Sequence, residues 1–247
     1  MASESTSTIP SSNSASTSVT EFSRLKIKDG LREQHKAAIE KGLARAKKGM
    51  EDFTGQKFYI FEEVENPNHI YIVGEWASLE QHMNEWIPSE ENQNLLKELG
   101  PFIDVDVFFH LDSRIGDIPP STPAPILSCG RHVMERSQRS SFEETFNKRN
   151  DCLEAHTLGA VGAGWRIEKE TDREEFVLFC PWKYVIQYCT WIRSSHCHLF
   201  APVLQYANDY LEMSHSIWPS ERRRNSKTTL KSGITLYSAL QKFFTFQ

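Results

Sequence analysis

Several things are scarce in this 247-residue sequence, and each scarcity removes a class of protein. No apolar run approaches the roughly 18 residues that a membrane-spanning helix needs. The first residues are Ser/Thr-rich and carry Glu4 in place of a basic start and an apolar core, so neither a secretory signal nor a mitochondrial presequence is expected. Cysteine is sparse. Cys129, Cys152, Cys180, Cys189 and Cys197 are odd in number and lack CxxC spacing, which argues for reduced thiols and a cytoplasmic location. Positive charge is short as well: 28 Lys and Arg against 33 Asp and Glu leave −5, which disfavours general nucleic-acid binding. No GxSxG, HExxH or paired Cys–His nucleophile occurs. The Gly159–Gly164 run lacks both GxGxxG order and a P-loop lysine, and it leads into a strand.

Apolar and aromatic residues are not scarce. Hydrophobic residues make up 39% and charged residues 25%, with six Trp, seven Tyr and fifteen Phe, enough for one large domain or two of roughly 100 residues. The central stretch is His69–Trp86. Ile70, Ile72 and Gly74 alternate with Tyr71, Val73 and Glu75, which predicts a strand ending at Trp76. Ser78 then caps a short helix on which Leu79, His82, Met83 and Trp86 recur, Pro88 stops it, and Ser89 starts another.

Around this stretch the spacing predicts a strand over 19–28, a helix over 31–50, a strand over 56–64 and a strand over 102–111. On the last strand Ile103, Val105, Val107 and Phe109 are expected on one face, and Asp104, Asp106, Phe108 and His110 on the other. Four prolines make 113–125 a stiff linker. The pattern then restarts: strand 126–134, helix 141–156, strand 161–169, strand 175–182, helices 183–191 and 195–206, and a weak strand 210–216. Trp182 stands 106 positions after Trp76, again at a strand end. Residues 1–18 are expected to be a disordered tail. Residues 219–247 are expected to be a basic one, with Arg222, Arg223, Arg224, Lys227, Lys231 and Lys242 against Glu221 alone. The expectation is therefore α+β: two fused ferredoxin-like (β-α-β-β-α-β) units, residues 19–112 and 126–218, forming an intramolecular dimeric α/β barrel.

The segment VGEWASLEQHMNEWIPSEENQNLL resembles fungal proteins of the dimeric α/β-barrel superfamily, in particular those related to the antibiotic-biosynthesis monooxygenases. The resemblance covers 19–112 well, 126–218 more weakly, and neither tail. It implies a cofactor-independent enzyme of secondary metabolism that oxygenates, cyclises or moves a proton on an aromatic or polyketide-like substrate. The same superfamily also holds non-catalytic proteins, which implies a ligand-binding or structural barrel as the second reading, and haem-degrading enzymes as a third. Fold alone does not choose between them.

The residues supply candidates. His82, one turn before Trp86, suits an acid or base beside a flat substrate, or a structural imidazole at the helix–sheet seam. His110, at the end of the fourth strand, suits polarisation of an enol or, with Asp104 and Asp106, a metal, or it is a solvated strand end. Tyr188 takes the place of His82 in the second half. Trp76, Trp86, Phe108 and Tyr188 are the expected substrate contacts. His196-Cys197-His198 is no ligand set, because neighbours on a helix point about 100° apart. We thus expect catalysis by His82 and His110 without metal or cofactor, no membrane or nucleic-acid partner, and a homodimer as the one protein assembly considered.

Overall fold

The computed structural model describes residues 18–114, 126–169, 172–192, 203 and 209–214. β1 (Val19–Ile27) leads through Gly30, with φ at 77°, into α1 (Leu31–Gln34) and α2 (Lys36–Thr54). β2 (Phe58–Glu62) and β3 (His69–Trp76) come next as a hairpin. A π-helical turn (Gln81–Trp86), α3 (Glu90–Leu99) and β4 (Ile103–Leu111) complete the first half. The second half runs β5 (Ile126–Glu135), a 3-10 turn (Arg136–Gln138), α4 (Arg139–Glu154), β6 (Gly162–Trp165), β7 (Arg173–Trp182), α5 (Val185–Ile192) and β8 (Asp209–Ser214).

Every pairing is antiparallel, and the strand orders are β2-β3-β1-β4 and β6-β7-β5-β8. This is the α+β layout of the ferredoxin-like arrangement. Strand alternation sorts the side chains into three cores. Ile70, Ile72 and Trp76 of β3 pack with Ile39 and Leu43 of α2 and Leu95 of α3. Phe142, Phe146 and Leu153 of α4 pack with Phe176 and Leu178 of β7. Between the sheets lie Phe22, Tyr71, Val73 and Phe109 of the first and Leu127, Cys129, Val177 and Phe179 of the second.

One edge of each sheet is stitched to the other. Leu111 and Arg166 form an isolated antiparallel bridge. The Asp112 amide donates to the Trp165 carbonyl at 2.9 Å, and the Ile167 amide donates to the His110 carbonyl at 2.8 Å. Gly164 permits the approach: a Cβ there would stand 2.5 Å from Ser113 Oγ and 3.0 Å from Leu111 Cβ. No ladder joins β2 to β8 among the described residues.

Several local expectations are corrected. The helix predicted over 31–50 is broken at His35, runs on to Thr54, and ends at Gly55, whose φ is 70°. The strand predicted over 161–169 is only Gly162–Trp165, and β7 begins two residues early. The four apolar residues of β4 do not share a face. Arg24 pairs with Val107 and Leu25 with Val105, so Asp106 is an extra residue in β4, a bulge. Phe109 and Val107 face the second sheet, Ile103 faces the helices, and Val105 is 60% exposed. Leu79 and Met83 are also exposed rather than in the core. Residues 115–125 of the predicted linker, residues 1–17 and 219–247 of the tails, His215, and all of the 195–206 helix but residue 203 lie outside the described residues. No helix among the described residues is long and apolar enough to cross a membrane.

Candidate functional site

Strand ends bring the site together. On β1, the face that carries Val19, Leu25 and Ile27 to the helices also carries Glu21 and Ser23. Trp76 closes β3 opposite Val19. The Ser78 hydroxyl accepts from the Gln81 amide at 3.0 Å, the predicted cap. Beyond the cap the chain makes a π turn, with the Ile87 amide donating to the His82 carbonyl five residues back at 2.9 Å. The wider turn brings His82 and Trp86 inward together and leaves Met83 outside.

His82 is 2% exposed and lies flat on Trp76, with ring centroids 3.9 Å apart and planes 7° apart. Its Nδ1 is 2.7 Å from His110 Nε2. His110 is fully buried, and its Nδ1 is 2.6 Å from Glu168 Oε1 while its backbone N–H donates to Glu168 Oε2 at 2.9 Å. On the other side, His82 Nε2 is 3.7 Å from Glu21 Oε2. The Trp76 indole N–H donates to that same oxygen at 2.9 Å, and the Ser23 hydroxyl donates to Glu21 Oε1 at 2.5 Å. The result is a line of titratable groups, Glu168–His110–His82–Glu21, hydrogen-bonded from Glu168 to His82 and separated by 3.7 Å at its Glu21 end, with two members from the first half's strands, one from its π turn and one from the second half.

Burial sets the charges. Burial first, and then the neighbouring His110, push the His82 imidazole down to about 3, so it is neutral at pH 7. Burial raises Glu21 although its hydrogen bonds to Ser23 and Trp76 oppose the rise. Burial would raise Glu168 too, but its hydrogen bonds from His110 outweigh this and hold the carboxyl below its ordinary value. The His82–His110 pair thus lies between an ionised carboxylate and a buried, raised one; burial disfavours a lasting charge on His82, so a proton taken there has to be passed along the pair.

The structure thus gathers four of the residues singled out by sequence. His82, His110 and Trp76 are in direct contact, and Phe108, half-buried, stands edge-on to both imidazoles at 5.4 and 5.3 Å. Trp76 spends a ring face on His82 and its N–H on Glu21, so it holds the imidazole in place of a substrate. Trp86 packs one layer further out, 6.0 Å from Trp76 and 5.3 Å from Phe53. Tyr188 is elsewhere, buried edge-on to Trp182 in the second core. Asp104 and Asp106 do not join His110: the bulge puts them outside, where they pair with Lys28 and Arg24. Among the described residues no three His, Cys, Asp or Glu side chains are placed to hold a metal.

Two members were not found from sequence. Glu21 left a trace, since it falls on the strand face otherwise occupied by Val19, Leu25 and Ile27. Glu168 left none; it stands in the charged sequence Glu168-Lys169-Glu170 at the end of the strand expected over 161–169, which reads as solvent-facing.

Neither a protein-family model nor a curated protein matches the chain. Solved structures do. A protein provisionally named a monooxygenase from Fusobacterium nucleatum superposes with a TM-score of 0.53 at 10% identity, over 82% of this chain and 92% of its own. One of the same provisional name from Lactobacillus acidophilus gives 0.51 at 8%, over 81% and 93%. A chlorite dismutase variant from Candidatus Nitrospira defluvii, in complex with cyanide, gives 0.53 at 8%, over 82% and 91%. Identities this low speak to a shared fold.

Proposed function

We propose that this chain is an enzyme of the antibiotic-biosynthesis-monooxygenase-like kind, with two fused ferredoxin-like units closing one α/β barrel, acting by proton transfer on an aromatic or polyketide-like substrate without metal or organic cofactor. The observation that carries this reading is the 2.7 Å contact between two buried imidazoles, backed by the Glu168 carboxylate. His82 takes a proton from an acidic phenol or β-dicarbonyl, and the phenolate or enolate so formed cyclises, or gives two electrons to dioxygen as a C–O bond forms and a peroxide results that is then protonated. Phe108 is the side chain a substrate displaces to reach the imidazoles, and aromatic surface around it suits a planar ligand. The provisional names of the two bacterial neighbours support the enzyme class.

The burial of His82 and His110, 2% and 0% exposed, favours a second reading, a non-catalytic barrel in which the imidazoles only join helix to sheet. Haem fits the described residues poorly. Both ring nitrogens of His110 and one of His82 are engaged, and Trp76 covers the face of His82, so neither imidazole overlooks an apolar slot.

One pair of measurements separates the readings. Oxygen uptake and product formation are monitored over a panel of phenols and β-dicarbonyls for the wild type and for His82→Ala, alongside thermal unfolding. The catalytic reading expects turnover to fall by roughly 10² to 10⁴ with the fold retained, as for loss of one general base. Unchanged activity per folded molecule, or no turnover of any panel member by the wild type, sinks it and leaves the structural barrel.

A further inference from the structure

Glu168 grips His110 with both carboxylate oxygens, one on the ring Nδ1 and one on the backbone N–H. An ionised carboxylate only accepts, so the Nδ1 it faces carries a proton. When His110 is uncharged, its Nε2 then holds a lone pair, and the atom against it, His82 Nδ1, must be the donor. That leaves the lone pair of His82 on Nε2, the nitrogen directed toward Glu21 Oε2 at 3.7 Å. The order of protons along the line is thus set from its outer end.

We propose that Glu168, supplied by the second half of the chain, is the positioning residue of the first half's site: it dictates that His82 carries its proton on Nδ1 and presents Nε2 as the base. The inference rests on reading His82 as that base. It also accounts for how a base so buried disposes of the proton it takes. A proton gained at His82 Nε2 releases the one on Nδ1 to His110 Nε2. His110 becomes an imidazolium, and its charge is matched by the ionised Glu168 in contact with it. One proton enters, one moves on, and no co-reactant is needed. Backbone geometry makes the arrangement specific to a carboxylate. A Gln in this place has one accepting oxygen and one donating amide, and the amide would confront a donor, either the His110 N–H or Nδ1–H.

The seam explains why Glu168 arrives at all. The Ile167 amide donates to the His110 carbonyl, and Arg166 bridges Leu111, so the chain entering Glu168 is already pinned along the end of β4. The site of one half is incomplete until the other half docks.

The test reads imidazole tautomers of the full chain, labelled with 15N-histidine, at neutral pH. In the wild type, His82 and His110 are each expected as the Nδ1–H tautomer; finding His82 as Nε2–H overturns the inference without any variant. In Glu168→Ala, both rings are expected to lose that preference, and added formate, reaching the partly exposed place of the carboxylate, restores it. Glu168→Asp is expected to keep the wild-type pattern and Glu168→Gln to lose it. A folded Glu168→Ala protein with unchanged tautomers overturns the proposal. If that variant does not fold, the wild-type spectrum and Glu168→Gln decide. Tautomers that switch as expected while His82→Ala leaves turnover intact would remove the catalytic reading and keep the positioning role.

Discussion

Glu21 and His82 are ionisable groups held where water does not reach, and this gives the protein a definite response to acid. His82 titrates in the folded chain at about 3 and His132, buried among Phe142 and Phe176, at about 4. In the unfolded chain both take a proton near pH 6.5. Between pH 6.5 and about 4 the unfolded state therefore binds more protons, and stability falls as pH falls. Glu21 acts in the opposite sense: its raised value adds stability below pH 4.5 that is lost as pH rises through it. Two histidines outweigh one carboxylate. Urea unfolding at pH 7, 6 and 5 should show stability dropping, by up to about 1.4 kcal/mol per pH unit for each histidine. His132→Gln should lower that slope by one histidine's share, up to about 1.4 kcal/mol per pH unit. A flat or rising profile on acidification would show that these imidazoles are hydrated.

Elements decide which residues meet, and here the irregular ones matter most. The π turn Gln81–Trp86 points His82 and Trp86 inward together, whereas an ordinary α-turn would have carried the expected stripe of Leu79, His82, Met83 and Trp86. Deleting the exposed Glu85 should convert the π turn into an α-helical one. His82 should then lose its stacking on Trp76 and its contact with His110, altering the Trp76 fluorescence and the His82 ring signals, while Glu85→Ala changes neither. Retention of both signals in the deletion would show that packing, not the extra residue, holds His82. In β4, the bulge at Asp106 has the matching effect: it separates the solvent-paired Asp104 and Asp106 from the buried His110. Alternation alone put all three on one face. An inserted residue flips every position beyond it, and nothing in the composition of Asp-Val-Asp-Val marks where that happens.

At the scale of the whole molecule, the two halves meet at a narrow seam, and Gly164 lies in it. Gly164→Val should force Ser113 and Leu111 away, cost about 1–3 kcal/mol as overpacking does, and loosen Glu168 from His110. Gly159→Ala, with open space around it, is the control and should be neutral. Thermal unfolding together with the His110 ring signals checks both effects; a stable Gly164→Val protein with the Glu168 contact intact would mean that the seam is pliant. By itself, the sequence determined the strands around Trp76 and Trp182, the caps at Ser78 and Ser89, and the candidacy of His82 and His110. Those rest on local periodicity and hydrogen-bonding capacity within a few residues. Only the tertiary structure decided that His82 touches His110, that Glu21 lies beneath them and that Glu168 arrives from 58 positions beyond His110. Such contacts depend on a bulge, a π turn and a seam between sheets. The bulge and the π turn each add one residue, which changes the face taken by the side chains beyond, and the hydrophobic pattern does not mark where; the seam joins segments far apart in sequence.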